Sequence, residues 1–116
     1  MTETFGEAVR RQRLAKGLGV RELARALGLS ASYISDIEHD RRTPSEIVLR
    51  ALAHVLGADT DVLMTLSGRL GDEVTDYLRR TPAARELVRV LATQRASNGR
   101  VGSLVNQVKK RGQGVG

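Results

Sequence analysis

The chain lacks cysteine and tryptophan, and its aromatic residues are limited to one phenylalanine and two tyrosines. Without cysteine, neither disulfide bonds nor thiolate zinc sites can stabilise the fold. The two histidines, His39 and His54, are isolated from one another and form no metal-ligand pattern. The sequence therefore predicts a fold that depends on aliphatic packing and that binds no metal or other cofactor.

Long apolar runs are also absent. The most apolar stretch, residues 47–66, is interrupted by Arg50, His54, Asp59 and Asp61. It therefore falls short of the ~20 apolar residues that span a bilayer. The N-terminal sequence MTETFGEAVRR lacks the charged and then apolar pattern of a signal peptide. We therefore expect a cytoplasmic, nucleoid-associated protein that does not bind membranes.

The excess of positive charge is confined to the second half of the chain. The 116 residues carry a net charge of +6. Residues 1–67 hold nine basic and nine acidic side chains, whereas residues 68–116 hold ten and four. An excess of positive charge favours polyanionic partners such as nucleic acid. Because the first half is neutral, any attraction of that half to phosphate groups must come from local clusters of arginine, and the basic second half can add to it.

The stretch RELARALGLSASYISDIE, residues 21–38, has the pattern of two short helices joined by a tight turn. Gly28 can adopt the left-handed conformation that ends the first helix, and Ser30 is placed to cap the second. In the second helix Ile34 and Ile37 lie on one face. Its outward positions are small or polar: Ala31, Ser32, Ser35 and Asp36. Such a helix fits the major groove of DNA, which is about 12 Å wide, so the pattern predicts a helix-turn-helix.

Helical patterns continue along the rest of the chain. The apolar spacing predicts five short helices within residues 1–68, and Thr4 with Glu7 forms a capping-box pattern at the first of them. The fifth helix is predicted to bury three residues: Val62, Leu63 and Leu66. Three further helical segments follow, and the last, residues 101–108, lies between glycines and is too short to be stable alone. The sequence thus predicts an all-α protein.

In its first half the chain resembles the Cro/CI-type family of bacterial and phage repressors, also called the XRE family. The segments that carry the resemblance are FGEAVRRQR at 5–13, GL at 17–18, ELA at 22–24, LGLS at 27–30, YISDIE at 33–38, RRTP at 41–44 and LAHVLG at 52–57. The resemblance implies a five-helix, lambda-repressor-like DNA-binding domain over residues 1–68. We expect residues 69–116 to form a helical extension with a disordered tail at 112–116.

Three features depart from the family pattern. Val20 stands where the family often has a glutamine that bonds a phosphate, so that contact is lost. Asp40 stands where the family usually has glycine, although aspartate tolerates the left-handed conformation better than most residues. The outer face of the second helix of the motif, the recognition helix, has no Arg, Lys, Gln or Asn. The recognition helix therefore lacks the side chains that most often form two hydrogen bonds to one base. Recognition of the DNA sequence must be unusual or must come partly from the flanking arginines.

The resemblance also assigns roles to charged residues outside the recognition helix. Arg13 and Glu38 correspond to an internal ion pair of the family, the alternative being two solvated surface charges of little energetic value. Arg41 and Arg42 lie where family members contact phosphate, the alternative being a solvated loop. Arg21 is a further candidate phosphate donor, together with backbone N–H groups at the helix N-termini.

The recognition helix and its flanks supply the candidate base contacts. Ser32 and Ser35 can donate or accept, and Asp36 can either accept from cytosine N4 or repel unsuitable DNA without reading a base. Tyr33 either packs on the sugar-phosphate backbone or covers the core, and His39 fits a surface residue favoured by the helix dipole. The candidate DNA-binding residues are Arg21, Ser30, Ala31, Ser32, Tyr33, Ser35, Asp36, His39, Arg41 and Arg42.

We expect a sequence-specific transcriptional regulator, in particular a repressor that binds double-stranded DNA at a two-fold operator as a homodimer. The candidate dimer or partner surface consists of Leu70, Val74, Tyr77, Leu78, Leu87, Val88 and Leu91. One alternative is an antitoxin-like protein whose extension neutralises a partner while the first domain represses its own operon. Another is an accessory subunit of an enzyme. The acidic residues Asp72, Glu73 and Asp76 lie near a helix start, where the helix dipole favours them, so we do not expect catalysis.

Overall fold

The computed structural model describes residues 3–115, with side chains for residues 3–112, and these residues form eight α-helices. The helices are α1 (Phe5–Ala15), α2 (Val20–Leu27), α3 (Ala31–Glu38), α4 (Glu46–Leu56), α5 (Thr60–Leu66), α6 (Asp72–Arg80), α7 (Pro82–Thr93) and α8 (Asn98–Val115). The predicted all-α class is confirmed. The chain divides into two compact units between Asp72 and Glu73, a few residues past the expected boundary at Gly68. None of the helices described is both long and apolar enough to cross a membrane.

Local side-chain chemistry determines where the first helices begin and end. The Thr4 hydroxyl accepts the N–H of Glu7 at 3.1 Å, and the Glu7 carboxylate accepts the N–H of Thr4 at 3.1 Å, which forms the predicted capping box. Ser30 caps α3 by accepting the N–H of Tyr33 at 3.1 Å. Gly28 ends α2 with a φ of 68°, which supplies the left-handed conformation expected from the sequence.

Aliphatic side chains from all five helices of the first unit form one core. Its largest fully buried members are Leu23, Ile34, Ile37, Leu49, Leu52, Leu56, Leu63, Met64, Val9 and Pro44. The prediction that α5 buries Val62 is wrong, because Val62 is 52% exposed while Met64 is buried. The inner face of α5, which packs on α4 and α1, is formed by Leu63 and Met64, so the preceding residue points outward.

A buried ion pair joins α1 to the end of α3. Arg13 Nε donates to Glu38 Oε2 at 2.7 Å, and Arg13 Nη2 donates to Glu38 Oε1 at 3.0 Å. Arg13 Nη1 donates to the carbonyl oxygen of Leu18 at 2.8 Å, which ties the loop before α2 to the same group. The hydrogen bond to Glu38 raises the pKa of Arg13 above its ordinary value. The structure therefore brings together the two residues that the resemblance paired.

The N-terminus of α1 also contacts the turn that follows α3. Asp40 has a φ of 57°, and its carboxylate accepts the Thr4 hydroxyl at 2.6 Å and the Gly6 N–H at 2.8 Å. A Cβ at Gly6 would lie 2.6 Å from the carbonyl oxygens of both Ile37 and Glu38. A glycine is therefore required at position 6, because no side chain fits between the two helices there.

The second unit consists of three helices without a fully buried side chain in α6 or α7. Arg85 Nη1 at the start of α7 donates to the carbonyl oxygens of Leu78 at 2.7 Å and Arg79 at 3.0 Å, which satisfies the C-terminal end of α6. The helices α6 and α7 line an open groove of about 820 Å³. Residues of α7 and α8 line a second groove of about 270 Å³.

The last helix, α8, is longer than the predicted segment 101–108. Gly99, Gly102 and Gly112 lie within it, in open space. A glycine lowers helix stability by about 1 kcal/mol relative to alanine without ending the helix, which explains why these residues are poor markers of its bounds. The backbone of α8 continues to Val115. The side chains of residues 113–115 and all of Gly116 lie outside the described residues, so the disorder expected at 112–116 stays a prediction.

A double-mutant cycle tests the buried ion pair. Arg13→Met or Glu38→Leu alone should each destabilise the protein by about 3–5 kcal/mol, because each leaves a buried charge without its partner. The combination should be milder than either single change. Urea unfolding followed by circular dichroism measures all four proteins. The exposed pair of Arg11 with Glu3, also 2.7 Å apart, is the matched control and should show little coupling. Strict additivity at Arg13 and Glu38 would contradict the assigned pair.

Two glycine-to-alanine changes should affect stability in opposite directions. Gly6→Ala should destabilise the first unit by about 1–3 kcal/mol, because its Cβ must displace α1 from the end of α3. Gly102→Ala adds a methyl group in open space within α8 and should stabilise that helix by up to ~1 kcal/mol. Thermal unfolding of both variants provides the comparison. An unchanged midpoint for Gly6→Ala would show that the two helices are not in close contact.

Candidate DNA-binding surface

The helices α2 and α3 pack against each other and are joined by a tight turn. Gly28 turns the chain, the N–H of Leu29 donates to the carbonyl oxygen of Ala24 at 2.9 Å, and Ser30 begins α3. Ile34 and Ile37 are fully buried and anchor α3 from behind, where α1 and α2 pack on it. This geometry is a helix-turn-helix, with α3 in the place of the recognition helix.

The accessible positions of α3 are those that the sequence predicted. Ser32 is exposed, whereas Ala31, Ser35 and Asp36 are partly exposed. Tyr33 is also partly exposed and packs against the edge of the core, so its ring covers the core, and its contact with the sugar-phosphate backbone stays a prediction. The surface that α3 presents is therefore shallow and small, as close approach to base edges requires.

Two arginines from the loop after α3 lie against the side chains of that helix. Arg41 Nη1 is 3.5 Å from Asp36 Oδ1, and the Arg42 guanidinium carbon is 5.1 Å from the centre of the Tyr33 ring. The first contact is an ion pair between exposed groups, and the second has the distance of a cation–π interaction. Residue-by-residue interpretation of the sequence missed both contacts, because the residues are five and nine positions apart and meet only after the turn at Asp40.

His39 and the backbone N–H groups of the next two residues form hydrogen bonds with carbonyl oxygens at the C-terminal end of α3. His39 Nδ1 lies 2.8 Å from the carbonyl oxygen of Ser35. Since a carbonyl oxygen can only accept, Nδ1 is the ring nitrogen that carries the proton in this contact. The N–H of Arg41 donates to the carbonyl oxygen of Asp36 at 2.9 Å. His39 thus lies at the C-terminus of α3, where its ring donates to a carbonyl oxygen of the last turn.

The start of α2 is the second part of this surface. Arg21 is exposed in the first turn of the helix, where N–H groups are free to meet an anion. Val20, which replaces the usual glutamine, is partly buried and packs against the core. The first position of α2 therefore contributes to packing and supplies no polar group. In residues 3–115, no group of three or more acidic or histidine side chains is placed to hold a metal.

Comparison with known proteins gives consistent matches. A family model described as a helix-turn-helix domain matches residues 4–66. The chain is 30% identical to the transcriptional regulator ClgR of Mycobacterium tuberculosis over 83 residues. The aligned residues cover 72% of this chain and 74% of ClgR. It is 32% identical over 74 residues to the immunity repressor protein of Bacillus phage phi105, covering 64% of this chain and 51% of the repressor.

The fold is also similar to solved structures of regulators. The structure of the complex between the SinR and SinI proteins matches with a TM-score of 0.52 and 26% identity, over 95% of this chain and 99% of that chain. The family model matches more than half of the chain, and ClgR is matched over most of its length. The chain therefore belongs to the Cro/CI-type, or XRE, family of helix-turn-helix DNA-binding transcriptional regulators.

Proposed function

We propose that the protein is a sequence-specific repressor that binds a two-fold operator as a homodimer and has no catalytic activity. The observation that carries this proposal is the construction of α3. Two buried isoleucines hold the helix from behind, the pair of Arg13 with Glu38 fixes its end, and its outer surface is small, polar and flanked by arginines. A rigid, shallow helix of this kind is suited to the major groove.

Contacts with phosphate are assigned to groups on both sides of α3. Arg21 and the free N–H groups of the first turn of α2 lie on one side, and Arg42 lies on the other. The ring of Tyr33 holds the Arg42 guanidinium without neutralising its charge. Because residues 1–67 have no net charge, these few local contacts supply the attraction of the first unit to DNA.

The dimer interface is assigned to the second unit. Val74, Tyr77, Leu87 and Val88 are each 49–56% exposed and line the groove between α6 and α7, with Leu78 partly buried at its base. Leu91, also partly buried, lines the neighbouring groove with α8. Leu70 is 44% exposed but belongs to the first unit. A second subunit on the α6–α7 groove would cover the side chains that line it and would add a second DNA half-site at high effective concentration.

The antitoxin-like function is the second candidate, and the same groove favours it. An open apolar groove can receive a different protein as well as a second copy of the chain. SinR, which resembles this chain over nearly its whole length, has been solved in complex with the SinI protein. In this alternative the extension binds a protein partner, and the first unit still represses transcription.

Arg42→Ala should weaken binding to all DNA sequences by a similar factor. The loss of one phosphate contact should also reduce the slope of log K against log salt by about one. Fluorescence anisotropy with a selected operator and a random duplex, at several salt concentrations, measures both effects. Arg50→Ala, which removes another exposed arginine, from α4, is the control and should leave the slope unchanged. A change of preferred sequence in Arg42→Ala would contradict the phosphate assignment.

Val88→Asp should produce monomers without unfolding the protein, because Val88 is 56% exposed in the free chain. Its affinity for a two-fold operator should fall, whereas its affinity for a single half-site should not. Val62→Asp on α5 of the first unit, where the valine is 52% exposed, is the matched control and should remain dimeric. Light scattering gives the oligomeric state. A wild-type protein that is monomeric at all concentrations would contradict the homodimer and favour a different protein partner.

A further inference from the structure

The recognition helix has no side chain of its own that can form two parallel hydrogen bonds to a guanine or an adenine. Its accessible positions carry one alanine, two serines, one tyrosine and one aspartate. The most frequent specific contact in the major groove is that of arginine with O6 and N7 of guanine. A group that makes this contact must therefore reach the surface of α3 from a neighbouring segment.

Arg41 is tied to α3 through both its backbone and its side chain. Its N–H donates to the carbonyl oxygen of Asp36 at 2.9 Å, and its Nη1 lies 3.5 Å from Asp36 Oδ1. The turn that makes this possible is the left-handed residue Asp40, which is itself held by the Thr4 hydroxyl at 2.6 Å and the Gly6 N–H at 2.8 Å. The position of Arg41 is thus determined by a chain of contacts that begins in α1.

The contact with Asp36 leaves the guanidinium available for a further partner. The Arg41 side chain is 66% exposed and that of Asp36 is 38% exposed. One terminal nitrogen of the guanidinium faces the carboxylate, so the remaining N–H groups of its planar fork can still form a two-bond contact. The contact with Asp36 also restricts the rotation of the Arg41 side chain. Less conformational entropy is therefore lost when the guanidinium binds a base.

We propose that Arg41 is the residue that reads a guanine in the major groove and that Asp36 is its positioning residue. This inference rests on the proposed sequence-specific binding of α3 to DNA. It differs from the role that family resemblance gives to Arg41, which is contact with phosphate, and from a direct contact of Asp36 with cytosine. It also explains why an aspartate is present on a surface that approaches polyanionic DNA.

Selection of DNA from a random pool by the full-length protein tests this assignment. The wild-type protein should enrich sites with one strongly preferred guanine in each half-site. Arg41→Ala should lose the preference at that position and keep the others, with affinity for the selected site falling about 5- to 150-fold. Asp36→Ala, which removes the carboxylate without adding a group that can read a base, should weaken the preference at the same position. Combining Asp36→Ala with Arg41→Ala should have no further effect there, because Asp36 acts through Arg41.

The matched control is Arg42→Ala, which removes the adjacent arginine and should leave every base preference in place. Circular dichroism establishes that each variant is folded, as expected for exposed side chains. If Arg41→Ala weakens all sequences equally and lowers the salt slope as Arg42→Ala does, Arg41 contacts phosphate and the inference is wrong. It is also wrong if Asp36→Ala changes the preference at a different base position. Failure of the wild-type protein to enrich any sequence would instead overturn the proposed function.

Discussion

The geometry of the recognition surface depends on the contact between α1 and the C-terminal end of α3. At this contact both oxygens of Glu38 accept from Arg13, and a third N–H of Arg13 bonds the loop before α2. Removing two charges from water is costly, and only a fully bonded arrangement of this kind offsets the cost. The pair is therefore better understood as a device that specifies one orientation of α3 than as a source of net stability.

A second set of contacts acts at the same end of the helix. An aspartate in the left-handed conformation is less favourable than glycine, the residue usual at position 40 in the family. Here the carboxylate of Asp40 offsets this cost by accepting two hydrogen bonds from the first turn of α1, where the helix dipole also favours a negative charge. The departure from the family pattern thus adds a connection between the N-terminal end of α1 and the loop that carries Arg41 and Arg42.

Features that depend on neighbouring residues were predictable from the sequence. The caps at Thr4 and Ser30, the left-handed Gly28 and the buried isoleucines of α3 follow from rules that act within one helical turn. Features that depend on tertiary geometry were not predictable from the sequence. The bonds from Asp40 to α1 span more than thirty residues, and the contact of Arg41 with Asp36 requires the chain to reverse. Glycines within α8 misled the prediction of its bounds, because helical propensity is a weak local preference.

The pairing of carboxylates explains how a neutral domain can approach DNA. The last turn of α3 and the turn that follows the helix contribute three acidic side chains, which alone would repel phosphate. Each of them has a partner: Asp36 faces Arg41, Glu38 bonds Arg13, and Asp40 accepts from Thr4 and Gly6. Arg42 stacks on an uncharged ring, and no carboxylate pairs with it in residues 3–112. The negative groups are thus compensated locally while a positive group stays available, so that attraction to DNA arises from the arrangement of charges and requires no net excess in this unit.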